Sequence, residues 1–295
     1  MTRVQDLYSQ HFGMTGRPFS PLADASTLYW SSAHIRAYGA LEYGLFASTP
    51  FCVLTGIEGS GKTSLLLRLM HDAGDENRIA MVGGLRPDVA SVIPWILQAL
   101  GGDVSSGATE VVRFGQLQDA LISEYAAGRR TVLIFDEAHD LGDAALDELR
   151  LLSNINTAND QLLQVVLCGL PPLRDRLRRP RHAGLAQRVG AWGHLDVLDA
   201  DGTADYIVDR LSAAGAPMDL VTGEASDLIH DACAGTPRLI NQLAELAMIY
   251  MMTGGVDRVD AGVIRQVLSD GLFVTSLPTR TTDRSPLRLA SGVAS

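Results

Sequence analysis

The chain contains one lysine among its 24 basic residues, and the sequence around that lysine constrains the fold more than any other feature. Lys62 lies in Gly-Ile-Glu-Gly-Ser-Gly-Lys-Thr, residues 56–63, which matches the GxxxxGK[ST] pattern of a P-loop. In such a loop the glycines let backbone N–H groups approach phosphate oxygens, and the lysine reaches the β- and γ-phosphates. The alternative is a Gly-rich turn without a ligand, and the flanking sequence discriminates between the two.

The segments on both sides of the glycine loop have the character that phosphate binding requires. Residues 51–55 are apolar and rich in β-formers, which predicts a buried strand, and residues 64–70 predict a helix that ends near Gly74. The N-terminus of that helix adds its positive dipole end. We therefore predict that ATP binds here, with Thr63 as a Mg²⁺ ligand and the phosphates held by Gly56, Glu58, Gly59, Ser60, Gly61, Lys62, Thr63 and Ser64.

A second acidic motif follows another predicted strand. Residues 131–135 form a continuous apolar run, and Asp136 and Glu137 come directly after it, where α/β folds bind ligands. Asp136 is predicted to hold Mg²⁺ and to contribute to nucleotide binding, and Glu137 to polarise the attacking water as a catalytic residue. Alternatively, the pair caps the helix that follows. A dedicated hydrolytic carboxylate argues against a small-molecule kinase.

Strands and helices alternate through the first two thirds of the chain. Further strands are predicted at 79–83, 164–169 and, more weakly, 194–198, separated by helices near 87–101, 110–127 and 142–155. This alternation predicts an α/β domain of three layers, with a parallel sheet covered by helices on both faces. From residue 199 the strands stop, and a small all-α region is predicted from helices at 203–214, 223–234, 237–252 and 260–269.

The third of these later helices has the clearest signals. Thr236 is a good N-cap, Pro237 suits the first turn, and one apolar face is formed by Leu239, Leu243, Leu246 and Tyr250. Arg238 lies in the first turn, where a cation opposes the helix dipole. Its position indicates either an anion nearby or an ordinary exposed arginine.

Composition excludes several classes of protein. Cys52, Cys168 and Cys233 lie far apart, which argues against a disulfide framework or a zinc site. No window of about 18 uninterrupted apolar residues exists and the N-terminus lacks the apolar stretch of a signal peptide, so we expect a soluble cytoplasmic protein without membrane insertion. Residues 272–295 are rich in Ser, Thr, Pro and Arg, which predicts a disordered tail.

The order of these motifs resembles the AAA+ ATPases, and within them the ExeA/GspA family. The similarity covers about residues 8–270. It includes the N-terminal segments His11-Phe-Gly-Met14, Pro18-Phe-Ser20, Leu28-Tyr29, His34 and Tyr43-Gly-Leu45. It also includes Leu149-Arg-Leu-Leu-Ser-Asn154, Leu185-Ala-Gln-Arg188 and Gly235-Thr-Pro-Arg-Leu-Ile-Asn241.

The resemblance implies a P-loop NTPase domain at 51–198 and a helical lid domain at 199–271. Residues 1–50 would form a linker packing beside the nucleotide, and 272–295 the tail. Arg188 matches the arginine finger, a catalytic residue that completes the site of a neighbouring subunit, although it could also be a surface arginine. Arg238 matches sensor 2, which reaches the γ-phosphate from the lid of the same subunit.

Two residues depart from the family pattern. His139 stands where glutamine usually follows the acidic motif, and Leu170 replaces the polar residue expected after the fourth strand. That polar residue is the expected sensor 1, which orients the attacking water. We therefore expect slow hydrolysis, or a polar group supplied from elsewhere, with His139 as the candidate.

The resemblance leaves two classes of partner open. Membrane-linked family members continue into a membrane span and a cell-wall module, which this chain is expected to lack. The first reading is an ATPase that drives or gates a ring or helical homo-oligomer acting on a secretion or envelope component. The alternative is a TniB/TnsC- or MuB/IstB-like regulator that assembles on double-stranded DNA and recruits a transposase.

An arginine-rich segment bears on this choice. Residues 174–188 contain six Arg and one Asp in a chain whose formal net charge is −10, so they form a candidate phosphate-contact surface. A solvated helix face whose arginines pair with nearby carboxylates is the competing interpretation.

Overall fold

The fold was analysed in a computed structural model that describes residues 11–20, 28–102, 107–156 and 160–274. The predicted disordered tail lies outside the described residues from 275 onwards, as do parts of the predicted N-terminal linker.

A five-stranded parallel sheet with the strand order β2-β3-β4-β1-β5 forms the centre of the molecule. Its strands are β1 (Phe51–Gly56), β2 (Asn77–Val82), β3 (Arg130–Phe135), β4 (Leu163–Gly169) and β5 (Val189–Leu195). Every residue of β1 and β4 is buried, because helices cover both faces of the sheet. The predicted parallel α/β architecture is thus confirmed.

The fifth strand lies earlier than the sequence indicated. The prediction of 194–198 was wrong, because β5 is an edge strand paired with β1 on one side only and its burial alternates. The other strands were predicted from continuous apolar runs. In β5, Gly190 and Gly193 interrupt such a run. Residues 196–199 instead form the irregular connection to the following helix.

Seven α-helices of this part of the chain surround the sheet in the described residues. They are α1 (Ser32–Phe46), α2 (Lys62–Asp72), α3 (Ile93–Ala99), α4 (Glu110–Ala126), α5 (Asp143–Leu152), α6 (Pro172–Leu177) and α7 (Ala183–Ala186). The sequence analysis did not identify α1, whose first turn is capped by Ser31 Oγ accepting from His34 N.

Helix α3 is shorter than the predicted span of 87–101. Its start is held by Glu148 of α5, whose carboxylate accepts hydrogen bonds from Val92 N at 2.6 Å and from Ser91 Oγ at 2.8 Å. The helix therefore begins at Ile93 and the residues before it form a loop. The side chain of Glu148 satisfies the Val92 N–H, which has no partner within the helix.

Successive residues of the buried strands contribute to two apolar cores. Phe51, Val53, Leu133 and Phe135 face α3–α6. Cys52, Leu54, Val132 and Ile134 face α1 and α2 on the other side. This alternation places α1 and α2 on one face of the sheet and the remaining helices on the other.

Four helices follow the sheet and share a third apolar core. They are α8 (Ala200–Ala213), α9 (Gly223–Cys233), α10 (Pro237–Gly254) and α11 (Ala261–Ser269). Met14 and Phe19 from the N-terminal part are buried in this same core.

The predicted signals of α10 are only partly right. Thr236 precedes the helix, but its side chain makes no capping hydrogen bond, and its methyl group instead faces the glycine loop at Gly59. The buried stripe is also rotated from the predicted face, because small and flexible side chains pack against the other helices. It consists of Ile240, Asn241, Leu243, Ala244, Ala247, Met248 and Met251. Among the described residues, no helix is long and apolar enough to cross a membrane.

Candidate functional site

The carboxyl ends of β1 and β3 open into a cleft between the sheet and the four later helices. The loop after β1, the start of α2, the first turn of α10 and Glu137 line this cleft. Leu28, Tyr29 and His34 contribute from the N-terminal part, and Tyr206, Arg210 and Asn241 from the later helices. Most of the predicted site residues therefore converge on one cleft.

Two glycines of the loop have backbone conformations and neighbours that exclude a side chain. Gly59 and Gly61 have φ angles of 76° and 97°. A Cβ atom at Gly59 would lie 2.7 Å from Arg238 Cβ, and one at Gly61 would lie 2.8 Å from His34 Nε2. The loop is thus a narrow cradle between α1 and α10, and its shape depends on both glycines.

Lys62 is buried in the structure. Only 6% of the residue is exposed, and Nζ donates hydrogen bonds to the carbonyls of Gly56 at 3.1 Å and Ile57 at 3.0 Å. These carbonyls compensate the buried ammonium group for its lost hydration. The lysine is therefore folded against its own loop.

The first residue after Lys62 meets the acidic motif of β3. Thr63 Oγ1 donates to Asp136 Oδ2 at 3.1 Å, and the other carboxylate oxygen accepts from Glu137 N at 3.0 Å. Hydroxyl and carboxylate oxygens are ligands that Mg²⁺ prefers. Ser60 Oγ is buried nearby and lacks a hydrogen-bond partner within the described residues. The cradle, the two oxygens and this free hydroxyl fit a phosphate group with Mg²⁺.

Cys168 of β4 is buried next to Asp136, one of the two candidate Mg²⁺ ligands. Burial raises the pKa of its thiol well above the ordinary value, and the charge of Asp136 raises it further. The thiol is therefore neutral and contributes packing rather than a ligand.

Glu137 adopts a left-handed backbone conformation with φ of 54°, which is unusual for a residue other than glycine. Its side chain is 53% exposed, and Oε2 lies 3.2 Å from His139 Nδ1. The same nitrogen is 3.4 Å from Leu170 N, but it cannot donate to Glu137 and accept from Leu170 at once. The shorter distance and the carboxylate charge favour donation to Glu137. His139 thus lies between Glu137 and Leu170, and both His139 and Leu170 are positions where the sequence departs from the family pattern.

Arg238 lies over the glycine loop of its own chain. Its backbone N–H donates to the Gly59 carbonyl at 3.2 Å, and Nη1 donates to Glu58 Oε1 at 2.9 Å. The sequence analysis placed an anion near this first turn as one alternative. The glycine loop supplies one such anion, Glu58.

Arg188 lies outside the cleft. It precedes β5, and its Nη1 donates to the carbonyl of Arg150 at 2.9 Å and to Ser153 Oγ, at the end of α5. The structure therefore brings Arg238, but not Arg188, together with the other predicted site residues.

Several residues of the cleft received no role from the sequence. Tyr29 and Tyr206 make an edge-to-face contact with ring centroids 5.4 Å apart, and Tyr206 Oη donates to Asn241 Oδ1 at 2.8 Å. Arg210 is buried and its Nε donates to the Pro18 carbonyl at 3.1 Å. Tyr29 and Asn241 lie within family-like segments, which was the available signal. Tyr206 and Arg210 carried none.

His34 was also missed as an individual site residue. It is 3% exposed, and Nδ1 lies 2.8 Å from Ser31 Oγ while Nε2 faces Gly61. Burial lowers the pKa of His34, against an opposing hydrogen bond with the backbone of Ser60. A neutral imidazole thus connects α1 to the glycine loop.

The arginine-rich segment pairs largely within its own chain. Asp143 accepts from Arg176 and lies 2.9 Å from Arg181 Nη1 and 3.1 Å from His182 Nε2. The hydrogen bond from Arg176 is the main reason that the pKa of Asp143 falls below its ordinary value. Arg178 and Arg179 are exposed, and their side chains have no polar partner in the part of the chain that is described.

Comparisons with known proteins agree with this geometry. An AAA domain matches residues 47–177. General secretion pathway protein A of Aeromonas hydrophila is 35% identical over 260 residues, which are 88% of this chain and 47% of that protein. The chain thus spans about half the length of this relative.

Two solved structures share the fold at low sequence identity. Cdc6p from Pyrobaculum aerophilum has a TM-score of 0.65 at 16% identity, covering 88% of this chain and 72% of that one. The ORC2 protein of Aeropyrum pernix has a TM-score of 0.66 at 16% identity, covering 87% and 72%. These likenesses show the AAA+ P-loop fold. The domain match and the sequence relative place the chain among the AAA+ ATPases, as a member similar to general secretion pathway protein A.

Proposed function

We propose that this AAA+ ATPase binds Mg-ATP in the cleft and hydrolyses it at the interfaces of a homo-oligomer, so that turnover drives or gates the assembly. The observation that carries the proposal is the 3.1 Å contact between Thr63 Oγ1 and Asp136 Oδ2, which joins two motifs separated by 73 residues. A glycine turn without a ligand and a simple helix cap do not require this meeting.

The phosphates would be held by residues 56–64. Backbone N–H groups at the start of α2 and the free hydroxyl of Ser60 face them, and Lys62 would exchange its two carbonyl partners for phosphate oxygens. Thr63 and Asp136 would hold Mg²⁺, which neutralises phosphate charge when bound. In the same arrangement Tyr29 and Tyr206 are candidates for contact with the base.

Hydrolysis would depend on Glu137, whose exposed carboxylate directly follows the proposed metal ligand Asp136 in the chain and lines the cleft. His139 is proposed to orient the attacking water in place of the polar residue that Leu170 replaces, since it lies between Glu137 and Leu170. His139 would then both contact Glu137 and replace the polar side chain that is missing at Leu170, which agrees with slow turnover.

The two arginines would act from different subunits. Arg238 sits over the loop of its own chain, which supports a cis contact with the γ-phosphate. Arg188 lies outside the cleft, where it could reach only the site of a neighbouring copy. We propose accordingly that 51–198 act as the ATPase domain, 199–271 as the lid and residues 1–50 as the linker beside the nucleotide.

The partner of the assembly is proposed by analogy. The sequence relative is named for the general secretion pathway, which favours a secretion or envelope component as the first candidate. The second candidate, double-stranded DNA with a transposase, is supported by exposed Arg178 and Arg179 alone, since Arg176 and Arg181 pair with Asp143.

The test of the ATPase proposal is Glu137→Gln. This variant should bind ATP as the wild type does and release phosphate about 10²-fold or more slowly, the scale of losing a positioned base. Asp88→Asn is the matched control, because Asp88 is an exposed carboxylate in the loop before α3. Unchanged phosphate release in Glu137→Gln would exclude the proposed role.

The DNA alternative is tested by replacing both exposed arginines with serine. In the presence of ATP, Arg178→Ser with Arg179→Ser should weaken binding of a DNA duplex and flatten its salt dependence. The control removes two exposed arginines elsewhere, Arg36→Ser with Arg265→Ser. Equal duplex binding by both double variants would reject this surface.

A further inference from the structure

A carboxylate inside the phosphate-binding loop is paired with the arginine of α10. Glu58 Oε1 accepts from Arg238 Nη1 at 2.9 Å, and the two side chains are 81% and 56% exposed. Glu58 occupies a variable position of the loop pattern, where the motif does not require a negative charge. Its negative charge lies in the lining of the proposed phosphate site, where it would repel a bound phosphate.

The backbone fixes Arg238 at this place independently of the ion pair. Arg238 N donates to the Gly59 carbonyl at 3.2 Å, and its Cβ packs where Gly59 lacks a side chain. The guanidinium therefore starts from a defined point beside the loop. From that point Glu58 is the acidic partner it reaches, and Lys62, Thr63 and Glu137 line the same cleft.

We infer that Glu58 competes with the terminal phosphate of ATP for Arg238. This inference rests on the proposed role of Arg238 in the cleft. One guanidinium faces two alternative anions, and a phosphate oxygen is the stronger hydrogen-bond acceptor because it belongs to a more highly charged group. A bound triphosphate would release Arg238 from Glu58, whereas a diphosphate offers no γ-phosphate and leaves the pair intact.

Glu58 is therefore a positioning residue that makes the α10 arginine respond to the third phosphate. The pair is exposed, and exposed ion pairs are weak, so the competition costs ATP about two- to fivefold in affinity. A weak competitor suits this role, since a buried and strong one would prevent the exchange.

Repulsion between Glu58 and the phosphates is the competing explanation. Repulsion weakens binding of the diphosphate as well as of the triphosphate, and it does not need Arg238. Competition acts mainly on the triphosphate and disappears when Arg238 is removed. A double-mutant cycle separates the two.

The experiment measures binding of ADP and of the non-hydrolysable analogue adenosine 5′-(β,γ-imido)triphosphate by calorimetry, with Mg²⁺ and about 0.15 M salt to screen distant charges. The four proteins are the wild type, Glu58→Gln, Arg238→Ala and the double variant. We expect Glu58→Gln to tighten the triphosphate about two- to fivefold, with a clearly smaller change for ADP. In the Arg238→Ala background the same substitution should change nothing.

Three results would overturn the inference: an equal gain for ADP, a gain that persists without Arg238, or no gain at all. If Arg238→Ala binds the triphosphate as the wild type does, both the inference and the proposed role of Arg238 fail. Failure of the proposed function itself is read separately, as absence of nucleotide binding to the wild type.

Discussion

Arg238 and Arg188 lie in contrasting regions of the molecule. Arg238 is bonded to the glycine loop through its backbone and its side chain, within a cleft that also contains Lys62 and Glu137. Arg188 lies outside that cleft and is anchored to the end of α5, on Arg150 and Ser153. The residues proposed to bind phosphate thus converge within one chain, whereas the side chain of Arg188 has no carboxylate partner among the described residues.

Under the proposed function, one copy therefore supplies most of the groups that would bind the nucleotide, whereas Arg188 would act on the site of a neighbouring copy. The guanidinium of Arg188 is held by a backbone carbonyl and a hydroxyl, so no carboxylate of the described residues pairs with it. An arginine that is oriented but not paired with an anion suits the proposed contact with a phosphate bound to another subunit.

The largest expected effect concerns the region that is complete within the chain. Lys62→Ala should abolish detectable ATP binding, since removing a charged partner from a buried contact costs about 2–5 kcal/mol. Calorimetric titration measures the loss, and thermal unfolding checks that the fold persists without the two loop hydrogen bonds. Wild-type affinity in this variant would contradict the P-loop assignment.

Arg188→Ala should leave ATP binding intact and lower turnover, by about 10³–10⁵ if it behaves as other arginine fingers do. Turnover per subunit of the wild type should also rise with protein concentration. Arg181→Ala is the matched control, because Arg181 belongs to the same segment but pairs with Asp143.

Mixing variants tests whether Arg188 acts across an interface. Arg188→Ala subunits retain Lys62, and Lys62→Ala subunits retain Arg188, so mixed oligomers should regain part of the activity that neither shows alone. If light scattering shows co-assembly and no activity returns, Arg188 does not act on the site of a neighbouring subunit.

His139→Ala sharpens the comparison within the cleft. We expect phosphate release to fall about tenfold, since a small misplacement of Glu137 is sufficient for such a loss. ATP affinity should stay unchanged, because His139 contacts Glu137 rather than the glycine loop. An equal loss in affinity and turnover would show that His139 acts by shaping the cleft.

The smallest effect concerns His34 and the stability of the loop. Burial lowers its pKa below the ordinary 6.5, so the unfolded state takes up a proton at higher pH than the folded state does. Stability should therefore fall as pH decreases through about 6.5, by up to about 1.4 kcal/mol for each unit of pKa difference.

Urea unfolding of the wild type and His34→Gln at pH 7.5 and 5.5 measures this effect. The wild type should lose more stability than the variant between the two pH values. Identical losses would mean that His34 does not titrate differently in the folded and unfolded states.

Local patterns were sufficient for much of the site. The glycine spacing around Lys62 and the apolar run before Asp136 each identify an element and a chemical group, because phosphate binding needs residues that are contiguous in sequence. The same patterns predicted four strands of the sheet, since buried strands are continuous apolar runs. They missed the position of β5, where an edge strand with two glycines has no such run.

Tertiary structure decided what depends on distant residues. Burial of Lys62 by its own loop carbonyls, the start of α3 at Glu148, and the rotated stripe of α10 all result from contacts that no local pattern contains. The meeting of His139 with Glu137 and of Glu58 with Arg238 belongs here as well.

The sequence by itself determined the kind of chain this is: a P-loop α/β protein with an acidic motif and a following group of helices. Only the tertiary structure showed which groups each arginine contacts, namely the end of α5 for Arg188 and Glu58 for Arg238. The physical reason is that a motif specifies backbone shape and chemical groups over a few residues. The partner of a long charged side chain depends on which elements the fold brings within a few ångströms of it.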